Sequence, residues 1–271
     1  MGVQNAGVFY SICSECDNTV FQVYEDESVY KNKPSQQVLA AIALKCSLQN
    51  IYKRNFEKEL YKLIYKNYEE IFNCQQIERT NELDLRDYNE DLKKARICLN
   101  KADVEGYYLI YYTLLNYTVP IAFQGKISLY VGFDGKVIND IYNYNPNYKI
   151  KGLYISVFPL KNSTAILLFI DQNENRYRSF YKPFKKLSEQ DKLSVINYLI
   201  FLYSEDFFCS CKIKSIIENN KIIQEISGLT SIAEMSIEDI ITKTLFEKGK
   251  EKFSIELHNT IPNFLSEQYK I

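Results

Sequence analysis

Residues 107–170 are dense in aromatic and β-branched side chains, and the links between their apolar runs are short. YYLIYYTLLNYTVPIAF spans 107–123, ISLYVGF 127–133, LYISVFPL 153–160 and TAILLFI 164–170. Side chains of this kind favour strands. Parallel neighbours need crossovers of about a dozen residues or more, so these links predict antiparallel pairing. Asp134-Gly135 reads as a hairpin turn, and Lys161-Asn162-Ser163 joins a second hairpin. RYRSFY at 176–181 follows a turn at Asn173-Glu174-Asn175 and reads as a further strand, giving five or six between 107 and 181.

Helical patterns bracket this block. Ser35 is a good N-cap, and Val38, Leu39, Ile42 and Cys46 begin a stripe continued by Phe56, Leu60, Leu63, Ile64 and Ile71, with a kink expected near Arg54-Asn55. Over residues 81–101, Leu85, Tyr88, Leu92, Ala95 and Leu99 give the best helical spacing in the chain, and Glu90 and Lys94 stand one turn apart on the wetter side. Ser188 with Asp191 resembles a capping box, ahead of an amphipathic helix carrying Leu193, Ile196, Leu199, Ile200 and Tyr203. Residues 213–226 and 236–247 also read as helical, and residues 3–12 as a short strand. Segregated helices and strands indicate an α+β fold, with an antiparallel sheet flanked by N-terminal and C-terminal helices. The expected organisation is one domain over residues 1–271: a knuckle segment at 1–33, helices at 34–105, the sheet at 106–182 and helices at 183–271.

Composition narrows the function. Thirty-three Lys and Arg balance 34 Asp and Glu in 271 residues, for a formal net charge of −1. Nucleic-acid binders draw affinity from a basic face, so nucleic acid is not the favoured partner. No apolar run reaches the ~18–20 residues of a membrane helix. MGVQNAGVFYSIC lacks a basic region before a long apolar core, so it reads as no secretory signal, and it fails the myristoylation pattern at its sixth residue. The expected location is the cytoplasm, with cysteines reduced.

His258, in IELHNTIPNF, is the single histidine. Two-histidine metal sites are therefore excluded, and with no nucleophile motif beside it His258 reads as a surface or capping residue. No GxxxxGK[ST] or GxGxxG phosphate loop occurs. Cys13-Ser14-Glu15-Cys16 is a CxxC, a spacing that lets two thiolates share one tetrahedral zinc, and Cys209-Ser210-Cys211 is the other close pair. A structural zinc held by Cys13, Cys16, Cys209 and Cys211 is the metal-site candidate. The competing reading has Cys209 beneath the sheet and Cys211 capping a loop, with no metal. A dithiol redox reading is weaker, because no βαβ pattern follows the CxxC. Cys46 and Cys98 fall on apolar helix phases and read as core. Asp17, Glu25, Asp26 and Glu27 could hold magnesium, although a run in a loop is more often solvated. With 23 Tyr and 16 Phe but no Trp, Tyr107, Tyr108, Tyr111, Tyr112 and Tyr117 are the conspicuous aromatic group. Tyrosines on an open sheet can anchor a protein or stack bases, and Tyr107, Tyr108, Tyr111 and Tyr112 are the partner-binding candidates.

Residues 1–25, MGVQNAGVFYSICSECDNTVFQVYE, resemble a family of bacterial and phage proteins with a Phe-Cys-x-x-His-Asp knuckle. Cys13, Cys16-Asp17, Phe21 and Tyr24-Glu25 stand at the motif positions, with Cys16 where the family has His. QQVLAAIALKCSL and LSVINYLIFLYSEDFF are similar to its later helices. The family carries an upstream His and Cys segment reminiscent of HNH zinc folds. The resemblance thus implies that Cys13 and Cys16 are half of a zinc site, which is completed by Cys209 and Cys211, completed by a partner chain, or empty. It supplies no catalytic residue.

The function expected from the sequence is that of a non-enzymatic cytosolic interaction or inhibitor protein in phage–host conflict, binding a protein partner through exposed aromatic surface. The alternatives are a metal-dependent nuclease relative acting through acidic residues near Asp17 and Glu25, and a nucleotide or small-molecule binder with a tyrosine-lined pocket.

Overall fold

The computed structural model describes residues 12–68, 74–101, 103–143, 145–204, 206–227, 229 and 250–271. The readings at residues 3–12 and 236–247 lie mostly or wholly outside them. The chain divides into two compact units, residues 1–107 and 108–271, at the point where the sequence turns from helical to strand character. Among the described residues no helix is long and apolar enough to cross a membrane.

In the first unit α1 (Ser14–Glu25) begins at the CxxC itself. The expected knuckle over 13–17 is instead a helix start: Cys13 is the N-cap, and its thiol accepts the Cys16 N–H. Phe21 and Tyr24 are its buried residues, and Tyr30 donates its hydroxyl to the Tyr24 carbonyl at 2.6 Å. Ser35 caps α2 (Gln36–Tyr68) as expected, accepting the Val38 N–H at 3.3 Å. The helix runs on through Arg54-Asn55. From Val38 to Leu44 every side chain is buried, and the alanines there let α2 pack closely. α3 (Cys74–Asn100) packs against α2, with Ala95 and Cys98 buried. Gln36 then holds the start of the first strand: its side-chain oxygen accepts from Gly106 and Tyr107 N–H, and its amide donates to the Tyr107 carbonyl. Gly106 has to be glycine, since a Cβ there would lie 2.2 Å from Cys98 Sγ.

The second unit is built on a five-stranded antiparallel sheet in the order β1-β4-β3-β2-β5. The strands are β1 (Tyr107–Leu115), β2 (Ile121–Ile127), β3 (Leu153–Pro159), β4 (Thr164–Asp171) and β5 (Phe208–Cys209). β3 and β4 form the expected hairpin, in register from Leu153↔Ile170 to Pro159↔Thr164. β2 pairs with β3 and with the short β5. The short link between β1 and β2 does not make a hairpin, because β4 and β3 lie between them. It crosses the end of the β3–β4 hairpin, where Thr164 Oγ1 donates to the Tyr117 carbonyl and accepts from Val119 N–H.

Two expected strands are absent. RYRSFY leads into a helix, α4 (Arg178–Phe184), which buries Phe180 and Phe184. Within ISLYVGF, only Val131 beyond Ile127 joins a ladder, through a single bridge to Val137 around Gly135, whose φ is 69°. The reason is that side chains replace strand partners there. Asn139 donates to the Leu129 and Lys151 carbonyls and accepts from Lys151 N–H, while Tyr177 and Tyr203 hydroxyls accept from Leu129 and Tyr130 N–H.

Ser188 caps α5 (Glu189–Tyr203), accepting the Asp191 N–H as expected. The helix is not amphipathic: every residue from Leu193 to Leu202 is buried. The C-terminal segment closes over it. Ser194 donates to the His258 carbonyl, and Asn197 donates to the Pro262 carbonyl while accepting the Phe264 N–H. Phe253, Ile255, Ile261, Phe264 and Leu265 join the core. The short helices α6 (Lys214–Asn219) and α7 (Lys221–Ile226) fall where the sequence placed helical character. Replacing Asn197 by Leu keeps the branched shape but enlarges the side chain and strands two backbone groups, so we expect a loss of about 2–4 kcal/mol in urea unfolding. Ser194→Ala should cost about 1 kcal/mol.

Candidate functional site

The outer part of α2 is arranged against the usual rule. Arg54 is on the side that meets α3. Its guanidinium contacts Glu57 Oε2 at 2.8 Å, Asn81 Oδ1 at 3.2 Å and Asp84 Oδ2 at 2.7 Å. Asn81 is itself buried. Burial alone would lower the Arg54 pKa, but Asp84, Tyr88 and Glu57 outweigh it and hold it above its ordinary value. A polar, ion-paired seam therefore joins the two helices here.

The apolar residues of the same stretch point away. Phe56 is 63 % exposed, Leu60 45 % and Leu63 64 %. Their spacing of four and three places them on one helical stripe, spanning about 10 Å of axis. The stripe through 56, 60 and 63 is legible in the sequence, but its direction is not. Asn55 and Glu59 beside it are exposed, as is Lys62, which pairs with Glu59 at 2.7 Å and so forms a charged rim.

The tyrosines named from the sequence are engaged in packing. Tyr107 is buried. Tyr108 accepts a hydrogen bond from Lys185 and lies against Tyr181. Tyr111 donates to Glu189 Oε2 at 2.7 Å and meets Phe184 edge-on. Burial first, then the Glu189 carboxylate, raises the Tyr111 pKa. Tyr112 is half-buried, and Tyr117 donates to the Leu265 carbonyl.

The acidic run is also committed. Glu25 ends α1 rather than lying in a loop, and Lys45 bridges it to Asp17 at 3.4 and 3.3 Å, above the Phe21 ring. Asp26 caps the turn Glu27–Lys31 by accepting the Ser28 N–H, which lowers its pKa.

Cys13 and Cys16 are exposed in the first unit; Cys209 and Cys211 are exposed in the second, so Cys209 does not pack beneath the sheet. Among the described residues no group of three or more His, Cys, Asp and Glu side chains gathers as a metal site. Cys46 and Cys98 are buried as expected. His258 is not on the surface: it is buried, with Nδ1 2.9 Å from the Ile255 carbonyl, and its Nε2 has no hydrogen-bond partner among the described residues.

Arg54→Met should leave Asp84 and Asn81 without their donor and lower stability by about 1–3 kcal/mol. Adding Asp84→Leu should recover part of that loss, because an apolar pair can replace a partly buried ion pair at little cost while Asn81 stays without its donor. Urea unfolding of the two variants reads both effects. No protein-family model, curated protein or solved structure matches the chain.

Proposed function

We propose that the chain is a binding protein rather than an enzyme, acting as an adaptor or inhibitor that docks a protein partner on the outer face of α2. The observation behind this reading is the inverted stretch around Arg54. Arg54 faces α3 through Asp84, while Phe56, Leu60 and Leu63 are exposed. A helix placed for internal stability alone would bury these three side chains. Each is worth on the order of 1.5–3 kcal/mol when fully covered. Part of that gain is offset by the entropy of association.

The partner surface that fits is an amphipathic helix. The stripe repeats at the four-and-three spacing by which helices interlock, and the Glu59–Lys62 rim can pair with charges flanking an apolar seam. Of the tyrosines of β1, first choice from the sequence, Tyr111 is held by Glu189 and Phe184, Tyr108 lies against Tyr181, and Tyr107 is buried.

The test is a photo-crosslinking residue at position 56, with the same residue at exposed Leu114 as control. The adduct formed from position 56 should map to an amphipathic helix of one partner and vanish when Leu60→Glu and Leu63→Glu are added, with the circular dichroism spectrum unchanged. Crosslinks joining two copies of the chain, or adducts indifferent to the two changes, would overturn the reading.

A further inference from the structure

Cys13 and Cys16 carry chemistry that the docking face does not use. Cys13 is the N-cap of α1 and Cys16 lies three residues on, so both thiols belong to the first turn at the helix start. The Cys16 N–H points at Cys13 Sγ at 3.4 Å. Both residues are exposed, and α1 is twelve residues long. The positive end of the helix favours a thiolate at this position.

The two sulfurs are not equivalent. The Cys16 backbone N–H and then its thiol hydrogen-bond to Cys13, and these lower the Cys13 pKa. The same hydrogen bond and the developing charge on Cys13 raise the pKa of Cys16. Glu15 and Asp17 in the first turn oppose the thiolate, but Lys45 partly neutralises Asp17. The other exposed pair lacks this arrangement, since burial first, then Cys211, raises the pKa of Cys209.

We infer that Cys13 and Cys16 are a redox-active dithiol that exchanges with a small, solvent-borne disulfide. Cys13 thiolate attacks one sulfur of that disulfide, its S–S bond breaks, and the departing thiolate takes a proton. Cys16 then loses its proton and attacks Cys13 Sγ, expelling the second thiol. Cys13 and Cys16 together lose two electrons and two protons, and the incoming disulfide is reduced to two thiols. In the mixed disulfide Cys13 is the sulfur attacked, and the higher-pKa Cys16 is the resolving thiol. The CxxC spacing pointed to zinc because a knuckle was expected there. A helix cap instead sets one thiol to attack and the other to resolve.

The experiment uses the full chain in graded mixtures of reduced and oxidised glutathione, quenched with acid and mapped by peptide mass. An intrachain Cys13–Cys16 disulfide, two hydrogens lighter than the dithiol, should build up cooperatively as the mixture becomes oxidising. Iodoacetamide at mildly acidic pH should label Cys13 about tenfold faster than Cys209. Cys16→Ser should trap glutathione on Cys13, whereas Cys13→Ser should not trap it on Cys16. Equal glutathione loading of Cys13, Cys16, Cys209 and Cys211 with no intrachain link would overturn the inference. So would a stoichiometric zinc that shields both thiols in the purified protein.

Discussion

The second unit depends on α5 being buried on every side. A helix sheathed in this way gives up stability for each polar side chain that no partner answers. Ser194 and Asn197 in its core stretch are both answered by the C-terminal segment, while the buried Tyr198 hydroxyl has no hydrogen-bond partner among the described residues. Asn197 is the stronger device, since its amide matches one carbonyl and one N–H like a strand partner. The tail is therefore part of the core, and Phe253, Ile255, Phe264 and Leu265 complete the packing around the helix. The terminal Ile271 N–H reaches the Thr118 carbonyl, which ties the last residue to the link that crosses the sheet.

The same substitution of side chain for backbone recurs elsewhere. Asn139 takes the place of a strand neighbour for Leu129 and Lys151, and Gln36 does so for Tyr107. Each of these amides sits where the chain leaves regular structure and still needs its backbone groups paired. This lets segments such as Leu129–Val131 be buried without forming a full strand. In the first unit the logic reverses around Arg54, where polar groups fill the seam and apolar groups remain outside.

What the sequence disclosed follows from whether the deciding partner was local. Ser35 and Ser188 bond within their own helix ends, so both helix starts were legible. The β3–β4 hairpin was legible because its two runs and its short link lie side by side. RYRSFY misled because it was read only to Tyr181. Phe180 and Phe184, four apart and both buried, show the helical period once the window extends further. ISLYVGF misled for another reason: Asn139, Tyr177 and Tyr203 are distant in sequence, and nothing in the run announces that they will pair its backbone. The burial of α5 was half-visible, since between Leu193 and Leu202 only Ser194 and Asn197 interrupt an apolar run. The candidate site was legible as a list of apolar positions and not as a direction. Spacing alone places Phe56, Leu60 and Leu63 on one face. Which face turns outward is decided by Arg54 meeting Asp84 on another helix.

That ion pair also bears on what α2 can do. An apolar seam between α2 and α3 would have drawn Phe56, Leu60 and Leu63 inward by turning the helix about its axis, since burial without a partner chain is the simpler gain. Arg54 opposes that turn. Rotating α2 would take the guanidinium away from Asp84 and Asn81 on α3 and weaken the pairing of a buried amide and a carboxylate. The seam thus holds the helix in the orientation that exposes the stripe. Stability in this stretch rests on hydrogen-bonded charges, and Phe56, Leu60 and Leu63 stay exposed.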